Sequence, residues 1–290
     1  MKIDGVDKVR VAAVQPPVPE GREGRRRCVE RGLELAREAA RSGAEVICLP
    51  EYFGVFGAPG EQWRAMVARG DEVLKRCSDL ARRARATVLC PSVEVARKRL
   101  FSTTWVLGAD GEAIGKYRKV HLTLSERENK GISAGEDFPV FAITGLTFGV
   151  MTCYDGYFPE SARILALRKA QVIFWPSLQR AETEEVIRLQ AASRAVDNCV
   201  YVVRSSYGHP KGEPWSPGMM VGMSCIVDYE GRVISDLGHE EGYLLAEISP
   251  AIIRPRRRSF EGALESPRRY LFADRRPEVY REMCRRQGDG

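Results

Sequence analysis

The chain has 290 residues, 44% of them hydrophobic, and a formal net charge of +6 at pH 7. That length and apolar content permit a sizeable buried core, and the lack of a low-complexity linker favours one domain spanning residues 1–290. No apolar run is long enough to cross a bilayer, and residues 1–8 lack the apolar stretch of a signal peptide. We therefore expect no membrane partner and a cytoplasmic location.

The first half of the chain alternates predicted strands and helices. Strands are predicted at 9–15, 46–49 and 87–93, and amphipathic helices lie between them at 28–41 and 61–85. Extended segments are predicted near 101–107 and 113–119, followed by a charged loop that contains Glu126 and Glu128.

The second half repeats this alternation. After the apolar run 146–153, the pattern predicts helices at 159–169 and 182–197 with strands at 172–175 and 199–204. Three further strands, joined by glycine-containing turns, are predicted at 224–228, 232–235 and 243–248. Strands interleaved with helices indicate an α/β protein.

Charge and cysteine patterns argue against several functions. Arginine clusters at 21–27, 82–83 and 254–258 accompany no nucleic-acid-binding motif, so we interpret them as solvated surface and expect no nucleic-acid partner. The eight cysteines form no C-x-x-C pair, and the three histidines are scattered along the chain. The sequence predicts reduced thiols, no metal and no cofactor.

One cysteine has a special position. Cys153 ends the apolar run and is followed by the turn 154–156 and a predicted helix, so it lies on a sharp strand-to-helix elbow. Such an elbow exposes one side chain beside backbone N–H groups that can hold a developing oxyanion. Taken alone, Cys153 could equally be a buried structural thiol.

A nucleophilic thiol needs a base or a cationic neighbour, and the chain has a candidate for each. Glu51 follows the apolar run 44–50, and Lys119 comes just past the extended segment 103–107 and a turn at 110–111. Strand ends converge on the ligand crevice of an open α/β fold, so these residues are expected to meet Cys153.

Together, these segments resemble the nitrilase, or carbon–nitrogen hydrolase, superfamily. Residues 49–52 resemble its general-base motif, 117–122 its lysine motif, and 151–155 with 158–160 its nucleophile motif, in the family's order. The similarity extends from the first strand to about residue 280. It implies a triad of Glu51, Lys119 and Cys153 that acts through a thioester intermediate.

The family also uses a second glutamate that orients the lysine and the substrate. By its distance from Lys119, Glu126 is our candidate. Glu128 stays open as a competitor because the segment is interpreted as a loop, and a charged loop without a role is a third interpretation.

The resemblance further implies architecture and assembly. It predicts a four-layer α-β-β-α sandwich, with two sheets packed face to face and covered by helices. Members of the family pair through their helical faces, so a homodimer or higher homo-oligomer is expected. Residues 252–290 are expected to form a C-terminal extension at the subunit interface.

The reaction that the resemblance implies is hydrolysis of a small non-peptide amide or N-carbamoyl (ureido) compound, with release of ammonia or an amine. True nitrilases tend to carry Trp-Glu after the nucleophile, whereas this chain has Tyr154 and Asp155, as amidase and carbamoyl-amidase branches do. No arginine occurs within 155–158 to hold a carboxylate, so a neutral or cationic substrate is expected. Asp155 is expected to pair with a nearby arginine such as Arg163.

The substrate pocket is expected to come from loops after strands, namely residues 52–54, 157, 175–179 and 208–220. Its predicted substrate-binding residues are Phe53, Tyr154, Tyr157 and Gln179. Three other functions remain open at this point: a nitrilase, a non-catalytic scaffold that keeps the fold, and a thiol-redox protein using Cys153.

Overall fold

The computed structural model describes residues 8–19, 21–58, 62–63, 65–66, 72–143, 145–179, 183–212, 214, 222–249, 258–259, 262–263 and 267–284. Backbone contacts divide the chain into two units, Met1–Ile252 and Ile253–Gly290. Among the described residues, no helix has both the length and the apolar character needed to cross a membrane.

The first sheet of the larger unit has six strands in the order β12-β1-β2-β3-β4-β5. The central strands β1, β2 and β3 are parallel, whereas β12, β4 and β5 run antiparallel to their neighbours. The strands are β1 (Val9–Gln15), β2 (Val46–Cys48), β3 (Thr87–Ala96), β4 (Arg99–Leu107), β5 (Ala113–Arg118) and β12 (Gly242–Ile248).

The second sheet also has six strands, in the order β11-β10-β9-β8-β7-β6. Its central strands β7, β8 and β9 are parallel, with antiparallel strands outside them. The strands are β6 (Val140–Ile143), β7 (Leu146–Val150), β8 (Val172–Pro176), β9 (Tyr201–Ser205), β10 (Cys225–Val227) and β11 (Val233–Asp236).

Helices cover the outer face of each sheet. α1 (Gly21–Arg41) and α2 (Glu72–Ala84) pack on the first sheet, and α4 (Pro159–Leu167) and α5 (Glu184–Asn198) pack on the second. A short helix, α3 (Leu124–Glu128), lies between β5 and β6. Because β1 and β2 contact β9 across the middle, the layers follow in the order α-β-β-α.

Burial on both faces explains the continuous apolar runs of the central strands. Every residue of β8 and β9 is buried, and β1 is buried except for Arg10. Apolar side chains of α1 and α2 close the outside of the first sheet, with Leu33, Leu35, Cys77 and Leu80 in one core cluster.

Within its described residues, the smaller unit contains a two-stranded sheet and one α-helix. β13 (Arg258–Ser259) pairs with β14 (Gly262–Ala263), and α6 spans Pro267–Ala273. Two single 3-10 turns follow at Pro277–Val279 and Arg281–Cys284. Residues 250–257, where the predicted extension begins, lie outside the described residues.

The largest differences from the predicted helix boundaries are at the starts of α1 and α2. α1 begins at Gly21 rather than at residue 28. Its first two turns carry no apolar face, but they are rich in arginine, which has a high helix propensity, so the helix extends through them. The helix predicted at 61–85 is described as α2 from Glu72, and residues 67–71 lie outside the described part of the chain.

Candidate active site

Three strand ends meet at one cavity. Glu51 follows β2, Lys119 follows β5, and Cys153 comes three residues after β7. All three line a cavity of about 530 Å³. Its other described lining residues are Tyr52, Phe56, Gly57, Ala58, Trp63, Thr123, Ser125, Glu126, Lys130 and Leu178.

Lys119 lies between two carboxylates. Its Nζ is 2.7 Å from Oε1 of Glu51 and 2.8 and 2.9 Å from the two carboxylate oxygens of Glu126. The lysine is 1% exposed, so these are buried charge-assisted hydrogen bonds. The arrangement fixes the ammonium group beside Cys153.

Glu126 is held by the start of its own helix. Thr123 is the N-cap of α3 and Glu126 is its third residue, so each side chain bonds the other's backbone N–H in a capping box. The Tyr52 hydroxyl donates a further hydrogen bond of 2.5 Å to Oε1 of Glu126. Glu128, by contrast, is exposed. The structure therefore brings Glu126, and not Glu128, to Lys119.

Cys153 occupies a strained backbone position. Its φ angle of +44° is left-handed, a region that non-glycine residues rarely adopt. The neighbouring indole of Trp175 donates to the carbonyl oxygen of Cys153 at 3.0 Å. A Cβ at Gly156 would lie 2.0 Å from that indole ring, so this turn requires glycine.

The thiol of Cys153 has a donor and an acceptor beside it. The Glu51 carboxylate and the backbone N–H of Leu178 both act on its sulfur. Burial raises the pKa of Cys153, Glu51 raises it further, and Lys119 with Leu178 opposes both. The resting sulfur is therefore a protonated thiol beside a base.

The two carboxylates differ in their proton affinity. Burial raises the pKa of Glu51, and this outweighs the opposing effect of Lys119. For Glu126, Lys119 and the hydrogen bonds from Tyr52 and Thr123 outweigh burial, and its pKa is lowered. Burial opposes the charge of Lys119, but Glu51 and its other anionic neighbours raise its pKa well above the usual value. Glu51 is thus the better proton acceptor, and Glu126 the permanent anion.

Asp155 connects the cysteine turn to the lysine strand. Its Oδ2 accepts hydrogen bonds from the Tyr117 hydroxyl at 2.5 Å and from the Thr152 N–H at 2.7 Å. Its Oδ1 is 2.9 Å from both the backbone nitrogen and Nδ1 of His121. The expected partner Arg163 donates instead to the carbonyl oxygen of Asp197, because it lies on the far side of α4. The prediction of an Asp155–Arg163 pair is wrong.

The predicted substrate-binding residues do not line the described cavity. Phe53 is fully buried and packs against Gly32 of α1, because its side chain points outward from the sheet. The Tyr154 ring lies 5.3 Å from that of Tyr157 in a tilted arrangement and 5.2 Å from that of Phe158 edge to face, and Tyr157 is 37% exposed. Gln179 is buried in hydrogen bonds with Arg204 and Gln190.

Other side chains form the walls instead. Tyr52 and Trp63 pack at 4.8 Å, and the ammonium of Lys130 lies over their rings at 5.2 and 4.7 Å. The sequence places Tyr52 in one of the loops expected to form the pocket walls, and the structure has it in the cavity wall. Trp63 and Lys130 were missed, because no local signal identifies them.

No site for a bound cation is evident in the part of the chain that the structure describes. Among those residues, no group of three or more His, Cys, Asp or Glu side chains could hold a metal ion. Six cysteines other than Cys153 are buried, and Cys284 is exposed. The described cysteines are all free thiols.

A four-layer α/β sandwich with a buried cysteine at its strand ends defines the class of protein, and sequence comparison identifies the family. The carbon–nitrogen hydrolase family profile matches residues 10–258. The chain belongs to that family. This confirms the resemblance and the predicted fold.

Relatives with curated names cover most of the chain. The omega-amidase NIT2 of Homo sapiens is 32% identical over 230 residues, which are 76% of this chain and 82% of that protein. A Pseudomonas protegens protein named hydrolase in pqqF 5'region is 29% identical over 292 residues, or 99% of this chain and 95% of the relative.

Solved structures show the same fold. An amidase from Nesterenkonia sp. superposes with a TM-score of 0.77 at 25% identity, covering 97% of this chain and 98% of that one. One structure of that amidase shows covalent addition of the acetamide moiety of fluoroacetamide at its active site cysteine, and another contains butyramide.

Proposed function

We propose that this protein is a cysteine-dependent amidase that cleaves the C–N bond of a small non-peptide amide through a thioester acyl-enzyme. The observation that carries the proposal is a buried ammonium, Lys119, held 2.7 to 2.9 Å from two carboxylates beside the Cys153 thiol. A scaffold has no need of this costly arrangement, because buried charges destabilise a fold unless they are fully paired. Its membership of the carbon–nitrogen hydrolase family supports the same activity.

Acylation begins with proton transfer from sulfur to Glu51. Cys153 then forms a bond to the amide carbon, and the carbonyl π electrons move to oxygen. Lys119 Nζ and the backbone N–H of Tyr154 stabilise that oxyanion. When the intermediate collapses, the C–N bond breaks and the leaving nitrogen takes the proton from Glu51 as ammonia departs.

Deacylation uses the same base. Glu51 removes a proton from water, the hydroxide adds to the thioester carbon, and the C–S bond breaks. The sulfur recovers its proton and the acid leaves. The raised pKa of Glu51 suits a group that accepts a proton in one step and returns it in the next.

The walls of the cavity narrow the substrate class. Phe56, Ala58 and Leu178 offer apolar contacts, and Lys130 adds a second cation besides Lys119. Glu51 and Glu126 line the same cavity, so the four charges balance and do not exclude a cationic substrate. The apolar contacts favour short aliphatic groups, so of the neutral and cationic substrates expected from the sequence we propose short aliphatic amides and ureido compounds. The butyramide in the Nesterenkonia amidase structure is such an amide.

Ammonia release distinguishes the possible reactions. We expect the enzyme to release ammonia from butyramide, and Cys153→Ala to release none. Release from butyronitrile but not butyramide would identify a nitrilase. Silence with both, combined with reversible oxidation of Cys153, would identify a thiol-redox protein.

Assembly and location remain predictions from the sequence. We propose a homodimer or higher homo-oligomer in which residues 252–290 form part of the interface. Light scattering of the full chain, compared with a chain ending at residue 251, tests this. A cytoplasmic location is tested by fractionation of the source cells.

A further inference from the structure

Arg204 is a buried cation with unusual partners. It lies in β9 and is fully buried. Its Nη1 donates to the carbonyl oxygens of Gly222 and Met223 at 2.8 and 2.9 Å, and its Nε and Nη2 donate to Oε1 of Gln179 at 3.3 and 3.0 Å. All of these acceptors are neutral. No ion pair of Arg204 is present among the described residues.

Such a group is costly to keep. Removing a guanidinium from water is unfavourable, and neutral acceptors recover only part of that free energy. Burial lowers the pKa of Arg204, with Cys225, Cys153 and Tyr157 opposing that effect. An arginine nevertheless stays protonated in proteins, so a positive charge persists inside the fold. An anion that forms nearby would be stabilised by this charge.

Two short connections lead from Arg204 to the nucleophile. Gln179, which accepts from the guanidinium, directly follows Leu178, and Leu178 lines the same cavity as Cys153. The indole of Trp175 lies 5.7 Å from the guanidinium and donates to the carbonyl oxygen of Cys153. Arg204 therefore contacts two groups next to Cys153, the side chain of Gln179 and the indole of Trp175. We call these two contacts the brace.

The other charged groups that act on Cys153 do not supply it with an unpaired positive charge. Glu51, Lys119 and Glu126 also act on the thiol, besides burial and the Leu178 N–H. Lys119 is already shared by two carboxylates, which reduces the net positive field that it offers to the sulfur. Arg204 has no carboxylate partner in the described part of the chain, so its charge is not reduced in this way.

We propose that Arg204 is a positioning residue that favours the anionic form of Cys153. It fixes Gln179 beside Leu178 of the cavity wall, it contacts the Trp175 indole that bonds the Cys153 carbonyl oxygen, and it supplies a buried positive charge that the thiolate offsets. This inference rests on the proposed role of Cys153 as nucleophile, but its test does not require turnover.

The test measures the pH dependence of alkylation at Cys153. Iodoacetamide modification is followed at the Cys153 peptide by mass spectrometry, because Cys284 is exposed and will also react. In Arg204→Met we expect the apparent pKa of the thiol to rise by about one unit, which slows modification below that pKa about tenfold. Arg204→Lys, which keeps the charge, should recover part of the rate.

A second variant keeps the test decisive if Arg204→Met does not fold. Gln179→Glu has almost the same shape and gives Arg204 a carboxylate partner, so the brace stays while the charge is neutralised. We expect it to slow modification as Arg204→Met does. Arg188→Met, which removes a surface pair with Asp236, is the matched control and should leave the profile unchanged.

The outcomes separate the two proposals. A folded Arg204→Met or Gln179→Glu protein with the wild-type alkylation profile overturns the role of Arg204 and leaves the amidase proposal intact. Wild-type turnover in Cys153→Ala would overturn the amidase proposal, whatever the alkylation profiles show.

Discussion

The two sheets contribute to the site in different ways. The first sheet supplies charge, since Glu51 and Lys119 follow its strands β2 and β5. Lys119 is paired both with Glu51 and with Glu126. The second sheet supplies a nucleophile whose position comes from backbone geometry, with Cys153 at a φ of +44° and neutral donors around it. Acid–base groups and nucleophile thus lie on separate layers of the fold.

This division makes the contacts between the layers important. Asp155 ties the cysteine turn to Tyr117 and His121, and the Tyr207 hydroxyl donates to the carbonyl oxygen of Glu51 at 2.8 Å. The Ser205 hydroxyl likewise donates to the carbonyl oxygen of Val14 at 2.6 Å. We call these hydrogen bonds between the two layers the polar seam. They can hold the layers in register to within the tolerance that catalysis needs.

The largest expected effect comes from removing the nucleophile, which the second sheet supplies. Cys153→Ala removes the nucleophile and leaves a small apolar residue, so we expect kcat for butyramide to fall at least about 10³-fold with little change in Tm. Ammonia release and thermal melting measure the two quantities. Retention of a tenth of the wild-type rate would contradict covalent catalysis through Cys153.

A control in the first sheet sharpens the comparison. Cys48 in β2 is fully buried and contacts no substrate cavity. Cys48→Ala leaves a small cavity, so we expect it to lower Tm while turnover per folded molecule stays close to wild type.

The next effect tests the charge on the first sheet. Lys119→Arg keeps the charge but replaces a compact ammonium by a wide planar fork that cannot fit between Glu51 and Glu126. We expect kcat to fall about 10²-fold or more, as on loss of one oxyanion donor.

Lys116→Arg is the matched control for that change. Lys116 lies in β5, the strand that ends just before Lys119, and its half-exposed ammonium pairs with Glu94. Activity should stay within about twofold of wild type. Equal losses in the two variants would mark the effect as general damage to β5.

Glu126→Gln separates the two glutamates. It removes a permanent anion from Lys119 while leaving Glu51 and Cys153 in place, so we expect kcat to fall about tenfold or more with slow acylation still detectable by mass spectrometry. Glu128 is exposed, and Glu128→Gln should be silent. A sensitive Glu128 with a silent Glu126 would reverse the assignment, and indifference at both positions would remove it.

How far the sequence predicts this site depends on the range of the interactions involved. Glu51, Lys119 and Cys153 lie in contiguous motifs at strand ends, and the structure brings them together. Glu126 could have been preferred over Glu128 from local signals alone, because Thr123 and Glu126 have the spacing of a capping box that starts a helix. When the segment is interpreted as a loop instead, the choice between Glu126 and Glu128 stays open.

Most side chains of the cavity wall could not be predicted in this way. Tyr52 has a φ of +57°, so the side-chain alternation of a strand does not extend through it, and Phe53 points to α1 instead of the cavity. Gln179 is taken by Arg204, which is distant in sequence. Long-range packing decides these positions, and a single sequence carries no signal for it.

The smallest expected effect concerns the seam itself. Both carboxylate oxygens of Asp155 accept two hydrogen bonds, and asparagine would turn an NH₂ group toward two of those donors. Since the residue is fully buried, we expect Asp155→Asn to lower Tm and to reduce kcat about fivefold to tenfold, with a smaller change in KM. Asp236→Asn, which only breaks a partly exposed pair with Arg188, should change neither quantity. If Asp155→Asn lowers Tm but leaves kcat unchanged, the seam stabilises the fold without positioning Cys153 against Lys119.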